Sequence, residues 1–494
     1  MQRQAWRWAE WLTLDRVWAL LVPLAALIMV SHSKIRPHDF WWHVRVGQII
    51  AESGRVPSVD LFTYTRAGEP WLYQSWLAEL ILYGLFRSGG APLVIFAQAW
   101  IMAAAYGLLF LSVRRYVGGA SRPASLAVFA AMAMSVLNWG VRPQIFSFLC
   151  FGLLMYALSG YDVGHSRKLW LLPFIFAAWA NLHGGFVFGL ALLGLVTAAT
   201  VGEEVARERR LSASSTRLLL ACAVSALALM VTPAGPAGLA RYVAGFFQNQ
   251  VTQKANLEFM PLSIRELDGK LGFGVMTLFL ALLVRQRRML SLRETVTLLA
   301  FGFGALYYRR VLPWLGMSMA PMWGQLLMTW PAGASRGRVR LNVLVLTLLV
   351  VIYMLSLPWL RPLLPLPEER RAFLVASETP VTAAEWMCER WANASPRIFN
   401  DMGYGSYLEW ACPQIPVFID TRFELFPEDQ WRDYVRVSNA QFGWEEILQR
   451  YAIDVLMIHQ ENQEMLAVAA QASPEWTLVY SDDYTLIFER SGRD

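Results

Sequence analysis

Long apolar segments recur along the whole sequence and constrain the fold more than any other feature. A helix that crosses the hydrocarbon core of a bilayer, about 30 Å thick, needs about 20 consecutive apolar residues. With 56% hydrophobic and only 16% charged residues, the chain is too apolar for a soluble protein, which predicts a polytopic α-helical membrane protein with about 11 transmembrane helices. The candidate spans are 16-33, 91-113, 122-139, 143-160, 169-182, 184-201, 215-233, 271-285, 293-307, 311-330 and 340-358.

Two further segments belong to this membrane pattern. The segment 72-87, WLYQSWLAELILYGLF, is amphipathic at helical spacing and carries Glu79, so we expect it to lie in the membrane interface. The polar and aromatic N-terminus, MQRQAWRWAEWLTLDR, has no small-residue cleavage site after the first apolar segment. We therefore expect that first segment to remain as an anchor.

Basic residues occur in every second connection between the predicted spans, and the positive-inside rule assigns these connections to the cytoplasm. They are Arg114, Arg115 and Arg122; Arg167 and Lys168; Arg207, Arg209 and Arg210; Arg285, Arg287 and Arg288; and Arg336, Arg338 and Arg340. The pattern predicts a bacterial-type cytoplasmic membrane protein with a cytoplasmic N-terminus. The other connections, including 34-90, 234-270 and everything after 359, are expected on the periplasmic or extracellular face.

Charge divides the chain into two parts. Residues 1-365 carry a net charge of +18, which suits anionic lipid headgroups and requires no nucleic-acid partner, whereas residues 366-494 carry −12. We predict a transmembrane domain over 1-358 with a long first outer loop at 34-90. A Pro-rich linker over 359-368 and a soluble, external α/β domain over 369-494 follow.

The predicted external domain alternates strands and helices. Its two cysteines, Cys388 and Cys412, can pair if the compartment is oxidising. The predicted elements are strands in RIFND, PVFID and IDVLMI, helices in GYGSYLEW, WEEILQRY and 462-472, and a hairpin in WTLVYSDDYTLIFER.

The first outer loop places one carboxylate, Asp39, among aromatic and basic side chains in HDFWWHVRVGQII. One interpretation is an interfacial aromatic belt in which Asp39 and Arg45 form a solvated ion pair. The loop, however, exceeds 50 residues, and loops of that length are usually functional or disordered. Its amphipathic pattern argues against disorder, so we favour a functional loop, with His43, Arg45 and Asp60 as candidate substrate-binding residues.

Three arginines at the outer ends of spans depart from the positive-inside rule: Arg142 in NWGVRPQIF, and Arg309 and Arg310 in LYYRRVLPW. They either extend along the span toward the membrane surface (snorkelling), form structural pairs with Glu258 or Glu266, or bind a phosphate or diphosphate, which arginine binds with two donors. The phosphate interpretation is favoured for Arg309 and Arg310 and is even with the alternative for Arg142.

The segment WANLHGGF brings Asn181 and His183 to the same predicted face, beside glycines that allow close backbone approach. A single histidine at the end of a span is more often a structural residue than a ligand. Glu258 in NLEFMPLSIREL is as consistent with an ordinary solvated carboxylate as with a site residue.

These motifs together resemble a known group of membrane enzymes. The sequence resembles the GT-C superfamily of membrane glycosyltransferases, which includes oligosaccharyltransferase catalytic subunits and protein O-mannosyltransferases, and more closely a group of uncharacterised bacterial GT-C-like proteins. The resemblance covers nearly the whole chain. It is carried by WWHVRVGQII, GRVPSVDLFTYT, NWGVRPQ, WANLHGGF, RIFNDMGYGSYLEW and PVFIDTRFELF.

The resemblance implies transfer of a sugar from a polyprenyl-phosphate-linked donor to a glycan, lipid or protein acceptor on the outer face of the membrane. Asp39 matches the first-loop acid that activates the acceptor or helps to hold a metal. Arg142, Arg309 and Arg310 are the candidates for binding the donor phosphate. A carboxylate beside an acceptor hydroxyl serves as a general base, and a positive site stabilises the departing phosphate.

The sequence also departs from the metal-dependent oligosaccharyltransferases. Their second acidic motif is missing, because NWGVRPQ contains no acid, and NDMGYG at 400-405 stands where they have WWDYG. A divalent cation such as Mg or Mn, held by Asp39 and Glu258, therefore stays an open alternative to no cofactor. We interpret Asp401 and the pair Asp420 and Arg422 as capping or ion-paired residues.

Three functional hypotheses follow from the sequence. The first is a glycosyltransferase with Asp39 as its base. The second, a transporter of a lipid-linked substrate, is disfavoured because charged residues cluster at span ends. The third is a GT-C-like scaffold that binds a partner without catalysis.

Overall fold

The computed structural model describes residues 12–248, 256–328, 339–363 and 374–492. Several predicted features lie outside these residues: Arg336 and Arg338, residues 329-330 of one span, residues 364-368 of the linker and residues 369-373 of the external domain. The described residues form two compact units. The helical unit comprises those of Met1–Ser33, Pro92–Leu239 and Leu257–Ala372, and the α/β unit those of Lys34–Ala91, Ala240–Asn256 and Phe373–Asp494.

Helices dominate the described part of the chain. In chain order they are α1 (Leu14–Ser31), α2 (Phe40–Ser53), α3 (Trp76–Tyr116), α4 (Ser121–Ala133), α5 (Gln144–Asp162), α6 (Leu172–Leu182), α7 (Phe186–Glu208), α8 (Ala213–Ala228), α9 (Gly235–Gln248), α10 (Leu267–Arg285), α11 (Leu292–Tyr307), α12 (Leu312–Leu327), α13 (Val339–Ser356), α14 (Val381–Arg390), α15 (Met402–Ala411), α16 (Glu428–Ser438), α17 (Trp444–Arg450) and α18 (Glu464–Ala472).

Each predicted span overlaps one of these helices, and the chain is a multi-pass membrane protein. Among the described residues, six helices are long and apolar enough to cross a membrane: α1, α3, α5, α7, α10 and α13. Helices α4, α6, α8, α11 and α12, which overlap the other predicted spans, have only 11 to 16 residues. Because a helix rises about 1.5 Å per residue, these five are short for a bilayer. The count of eleven spans therefore stays a prediction.

The core of the helical unit forms around α12, most of whose side chains are buried. Its Trp314 ring stacks on Phe148 of α5 and Phe188 of α7, with ring centroids 5.1 Å and 5.5 Å away. Gly316 of α12 allows close contact with α4, since a Cβ there would lie 3.2 Å from the Ala131 carbonyl oxygen. This short helix thus lies at the centre of the unit, and neighbouring helices bury its apolar surface.

Helix α3 joins two features that the sequence predicts separately, the interfacial segment 72-87 and the span 91-113. It is kinked at Gly89 and Gly90, and Gly90 has φ 61° and ψ −160°, a conformation open essentially to glycine. Pro92, which has no N–H to donate, follows two residues after Gly90. The boundary between the two units falls at the same point, between Ala91 and Pro92.

The α/β unit contains a mixed four-stranded sheet of β1 (Ile398–Asn400), β2 (Val455–His459), β3 (Trp476–Ser481) and β4 (Thr485–Arg490), in the order β1-β2-β4-β3. Strand β1 pairs parallel to β2, and the hairpin of β3 and β4 continues the sheet in antiparallel fashion. These strands and helices α15, α17 and α18 lie where the sequence predicts them. Helices α14 and α16 were not predicted. The predicted pairing of Cys388 with Cys412 is present as a disulfide.

The prediction of a strand at PVFID is wrong. Val417 makes a single bridge to Thr63 and no ladder in the described sheet. The Asn400 side chain takes the place of a neighbouring strand, since its Oδ1 accepts from the Phe418 N–H at 2.9 Å and its Nδ2 donates to the Ile419 carbonyl at 2.8 Å. A side-chain amide therefore satisfies the backbone that a ladder would otherwise pair.

The first outer loop is structured, and it groups with the C-terminal residues in one unit. This differs from the predicted division, in which 34-90 is part of the transmembrane domain. Trp42, Val46 and Ile50 of α2 pack with Phe62 and Tyr73 in a buried cluster. Tyr64 and Trp71 of the loop pack against the core of the C-terminal residues. The loop side chains thus supply part of the core of the α/β unit, which their scattered positions in the sequence do not reveal.

Candidate functional site

Asp39, the predicted base, lies in the α/β unit directly before α2. It is half-buried, and its carbonyl oxygen accepts a hydrogen bond from the His43 N–H at 3.1 Å. Arg45, a predicted substrate-binding residue, donates to the Gln48 side chain at 2.8 Å. Because the apolar residues of α2 pack into the unit, the helix holds Asp39 at a fixed place at its N-terminal end.

His43, also a predicted substrate-binding residue, is instead part of a buried pair with Glu79 of α3. The His43 Nδ1 lies 3.0 Å from the Glu79 Oε1, and both side chains are at most 9% exposed. The Trp42 and His43 rings lie against each other, with centroids 3.5 Å apart. Gly47 allows α2 to approach α3, because a Cβ there would clash with the Glu79 carbonyl oxygen at 2.1 Å. The pair therefore joins two helices of the unit.

Asp60 belongs to a buried ionic cluster centred on Arg422, whose side chain is fully buried. The Arg422 guanidinium lies 2.7 Å from the Asp60 Oδ1, binds Asp420 with both Nε and Nη2, and lies 3.6 Å from Glu409. Asp60 also accepts from the Thr63 hydroxyl at 2.7 Å. The Asp60 carboxylate is thus occupied by structural partners, and we find no substrate-binding geometry for it.

Two predicted structural roles in the α/β unit are confirmed. Asp401 caps helix α15, since its carboxylate accepts from the Gly403 and Tyr404 N–H groups at 2.8 Å and 3.3 Å. Asp420 and Arg422 form an ion pair. The sequence did not indicate that Asp60 and Glu409 join this pair, because contacts between distant segments leave no local pattern.

In the helical unit, four of the predicted residues lie within electrostatic range of one another: Arg142, His183, Glu258 and Arg310. Arg142 forms an ion pair with Glu258, which is one of the pairings considered from the sequence. The Arg310 guanidinium lies 4.5 Å from the centre of the Phe259 ring. The two arginines and one carboxylate leave one net positive charge in this group.

His183 contributes no charge to the group. Burial lowers the pKa of His183 to about 3, and the positive charges of Arg310 and Arg142 lower it in the same direction. Its Nδ1 accepts from the Gly185 N–H at 3.0 Å and lies 2.8 Å from the Ser147 hydroxyl, which in turn accepts from the Trp179 indole at 2.7 Å. A neutral, acceptor Nδ1 fits these contacts.

Glu258 stays ionised at neutral pH. Burial alone would raise the pKa of Glu258, but the nearby Arg142 and Arg310 lower it to about 2. The carboxylate is therefore a fixed counter-charge to the two arginines.

Arg309 and Asn181 have other surroundings. Arg309 binds the Asp268 carboxylate at 2.6 Å and 2.8 Å and also pairs with Glu266, as the structural alternative in the sequence analysis describes. The Asn181 Nδ2 donates to the carbonyls of Ala177 and Val231 at 2.8 Å and 2.7 Å. Arg309 thus has two carboxylate partners, and Asn181 links two backbone segments of the unit.

Asp39 and Glu258 are the candidate metal ligands from the sequence. Among the described residues, no group of three or more His, Cys, Asp or Glu side chains could hold a metal ion. We derive no reaction step through a metal.

The fold is similar to solved membrane glycosyltransferases. The arabinofuranosyltransferase AftD from Mycobacteria is 15% identical, with a TM-score of 0.55, and the match covers 98% of this chain and 42% of that protein. The archaeal oligosaccharyltransferase AglB from Archaeoglobus fulgidus, solved with an inhibitory peptide and a dolichol-phosphate, is 12% identical, with a TM-score of 0.49 and coverage of 96% and 74%. No family model and no curated protein matches the sequence.

At 15% identity the likeness to the arabinofuranosyltransferase shows the fold alone, and it spans less than half of that protein's length. It extends over nearly the whole of this chain, including the first outer loop and the C-terminal residues. The expectation drawn from the sequence motifs is thereby confirmed at the level of architecture: the chain is a multi-pass membrane protein with a GT-C-like fold.

Proposed function

We propose that this protein is a membrane glycosyltransferase of the GT-C type. It transfers a sugar from a polyprenyl-phosphate-linked donor to a glycan, lipid or protein acceptor on the outer face of a bacterial inner membrane. The observation that carries the proposal is the fold shared with an arabinofuranosyltransferase over 98% of this chain. Because one fold can host several functions, the residues must support the assignment as well.

Asp39 is the proposed general base. It is half-buried at the N-terminal end of α2, a helix held by packing, so its carboxylate is positioned by a rigid element. A carboxylate beside an acceptor hydroxyl removes the proton as the hydroxyl oxygen attacks the sugar carbon. Asp60, His43 and Glu79 are buried, whereas Asp39 is half-buried, so Asp39 is our choice of base within the first loop.

Arg142 and Arg310 are the proposed donor-binding residues. With Glu258 ionised and His183 neutral, their group keeps one positive charge at neutral pH. A fixed positive charge stabilises the phosphate as it leaves the sugar, and arginine offers two donors to its oxygens. Arg309 is bound by two carboxylates, so we assign it to holding α10 against the segment that follows α11.

The test compares the wild type with Asp39→Asn in nanodiscs, with a panel of polyprenyl-linked sugars as donors and with and without EDTA. We expect the wild type to release polyprenyl phosphate and Asp39→Asn to lose about 10²–10⁴-fold in rate, the usual contribution of a general base. Glu52→Gln is the matched control, because Glu52 is an exposed acid on the same helix. The EDTA arm decides whether a metal is required.

Arg310→Gln separates donor binding from base catalysis. It should slow turnover while Asp39 remains intact, because the phosphate that leaves the sugar loses a stabilising positive charge. Arg285→Gln, on a predicted cytoplasmic connection, is the control and should leave turnover unchanged. Equal release by the wild type and Asp39→Asn would remove Asp39 from the chemistry. A wild type that binds donors but transfers from none of them would favour the non-catalytic scaffold.

A further inference from the structure

Arg361 is a buried cation of the helical unit with no carboxylate partner among the described residues. It follows α13 in a short 3-10 turn, Arg361–Leu363, and is 2% exposed. Its Nη1 donates to the carbonyls of Ser31 at 2.6 Å and Ser33 at 3.1 Å, at the C-terminal end of α1. Its Nε and Nη2 are also buried, and neither donates to an acceptor among the described residues.

The two carbonyl contacts explain only one nitrogen of the guanidinium. They cap the end of α1, where the last carbonyls of a helix have no intrahelical partner and where positive charge is favourable. The edge formed by Nε and Nη2 has no acceptor among the described residues. This edge offers two parallel donors, which match two oxygens of a phosphate or carboxylate. A buried charge without a counter-charge is strongly unfavourable, so an anion bound at this edge would stabilise the protein.

A third donor comes from a residue that Arg361 already contacts. Within the part of the chain that the structure describes, the Ser31 hydroxyl is buried without a hydrogen-bond partner, and it belongs to the residue whose carbonyl Arg361 binds. His32, between the two capped carbonyls, lies 3.0 Å from the Ser356 hydroxyl and supplies no negative charge. Near the ends of α1 and α13, one edge of a guanidinium and one hydroxyl thus lack an acceptor among the described residues.

The surface beside Arg361 is apolar and aromatic, which indicates the kind of anion. Trp359, Leu360 and Leu363 are 45%, 38% and 76% exposed, although Trp359 also packs on the Phe96 ring with centroids 5.3 Å apart. Exposed tryptophan and leucine at the end of a span are typical of the membrane interface. A free phosphate would gain nothing from these side chains, whereas a lipid would place acyl chains against them.

We propose that Arg361 binds the phosphate of an anionic phospholipid, whose acyl chains pack on Trp359, Leu360 and Leu363. The Nε and Nη2 donors and the Ser31 hydroxyl hold the phosphate oxygens, while Nη1 keeps its contacts with the end of α1. The bound lipid then joins the first and last long apolar helices of the described chain. None of the residues of this site is assigned to sugar transfer, so the proposal does not depend on that function.

The test uses the full-length protein in a neutral detergent and follows thermal unfolding and native mass spectra. Three additions are compared: phosphatidylglycerol, a diacylglycerol glycolipid without phosphate, and sodium phosphate. We expect phosphatidylglycerol to raise the Tm of the wild type and to remain bound in the spectra, because a ligand that binds the native state stabilises it. The glycolipid and sodium phosphate should raise the Tm far less.

Arg361→Gln should abolish the phosphatidylglycerol response, whereas Arg36→Gln, which removes an exposed arginine, should preserve it. If Arg361→Gln does not fold, Arg361→Lys keeps a charge for the α1 carbonyls but lacks the two-donor edge, and we expect it to retain at least tenfold less lipid. An unchanged lipid response in the Arg361 variants would overturn the proposal. So would a wild type that responds to sodium phosphate as strongly as to phosphatidylglycerol.

Discussion

Arg422 shows how a single buried residue can connect segments far apart in the sequence. Its partners are Asp60 from the first loop, Glu409 from α15, and Asp420, which lies two residues before Arg422 itself. The guanidinium also lies 5.1 Å from the centre of the Phe62 ring. Removing one partner from a buried ionic cluster leaves the others uncompensated, which costs more than the pair itself contributes.

Arg422→Gln should therefore destabilise the α/β unit by about 3–5 kcal/mol, because Asp60 and Asp420 would stay buried without their cation. Thermal unfolding in detergent measures the effect as a large drop in Tm. Arg390→Gln is the control, since Arg390 pairs with Glu489 at the surface and such pairs contribute at most about 1 kcal/mol. Similar losses in both variants would contradict the special role of Arg422.

Glu409 makes the same cluster sensitive to pH. Burial raises the pKa of Glu409 well above 4.5, the negative charge of Asp420 raises it further, and Arg422 opposes the shift. The folded protein therefore keeps a proton that the unfolded chain releases above about pH 4.5, so this contribution to stability is full at lower pH and is lost as the pH rises through the raised pKa.

Glu409→Gln imitates the protonated carboxyl and should flatten the fall of Tm with rising pH above about 4.5. The measurement is the difference between the Tm profiles of the variant and the wild type, since other groups titrate in both. Glu428→Gln, an exposed acid at the start of α16, should leave the profile unchanged. A Glu409→Gln profile parallel to that of the wild type would rule out this proton.

At the scale of elements, the kink in α3 lies where the chain passes from one unit to the next, and the conformation of Gly90 makes it testable. Gly90 has a backbone conformation that costs a residue with a Cβ about 1–3 kcal/mol. Gly84, one turn and a half earlier in the same helix, has no atom within 4 Å of where a Cβ would lie. Gly90→Ala should therefore lower the Tm, whereas Gly84→Ala should leave it unchanged or raise it by helix propensity. Equal effects would mean that the kink is not held by Gly90.

Elements with a strong local pattern could be predicted from the sequence, and those defined by distant contacts could not. The long apolar segments and the short apolar strands β2 and β4 are each visible in the local sequence. Helix α2 was missed, although Trp42, Val46 and Ile50 follow helical spacing, because aromatic, histidine and arginine residues obscure the pattern. PVFID resembles a strand but is satisfied by the Asn400 side chain.

The same distinction applies to the candidate site. The pairing of Arg142 with Glu258 and of Arg309 with Glu266 was considered from the sequence, since charged residues near predicted span ends need partners. The partners of His43 and Asp60 were not, because Glu79 and Arg422 are brought to them only by tertiary packing. Residue type could suggest the site, whereas burial decided which residues are structural.

At the scale of the whole molecule, the number of membrane crossings decides where the α/β unit lies. With a cytoplasmic N-terminus, eleven crossings place the C-terminus outside, whereas six crossings, the number of described helices that meet the length and composition requirement, would return it to the cytoplasm. The disulfide between Cys388 and Cys412 favours the outer, oxidising compartment. The proposed reaction requires the same side.

Fusions to reporter proteins test this parity directly. Alkaline phosphatase folds only outside the cytoplasm because it needs disulfides, whereas green fluorescent protein exported in an unfolded state does not fluoresce. We expect a fusion after Asp494 to give phosphatase activity, and a fusion after Arg209, in a basic connection, to give fluorescence. Fluorescence from the C-terminal fusion would instead indicate an even number of crossings and place Cys388 and Cys412 in a reducing compartment. That result would contradict both the positive-inside assignment and transfer on the outer face, because Asp39 and the C-terminal residues belong to one unit.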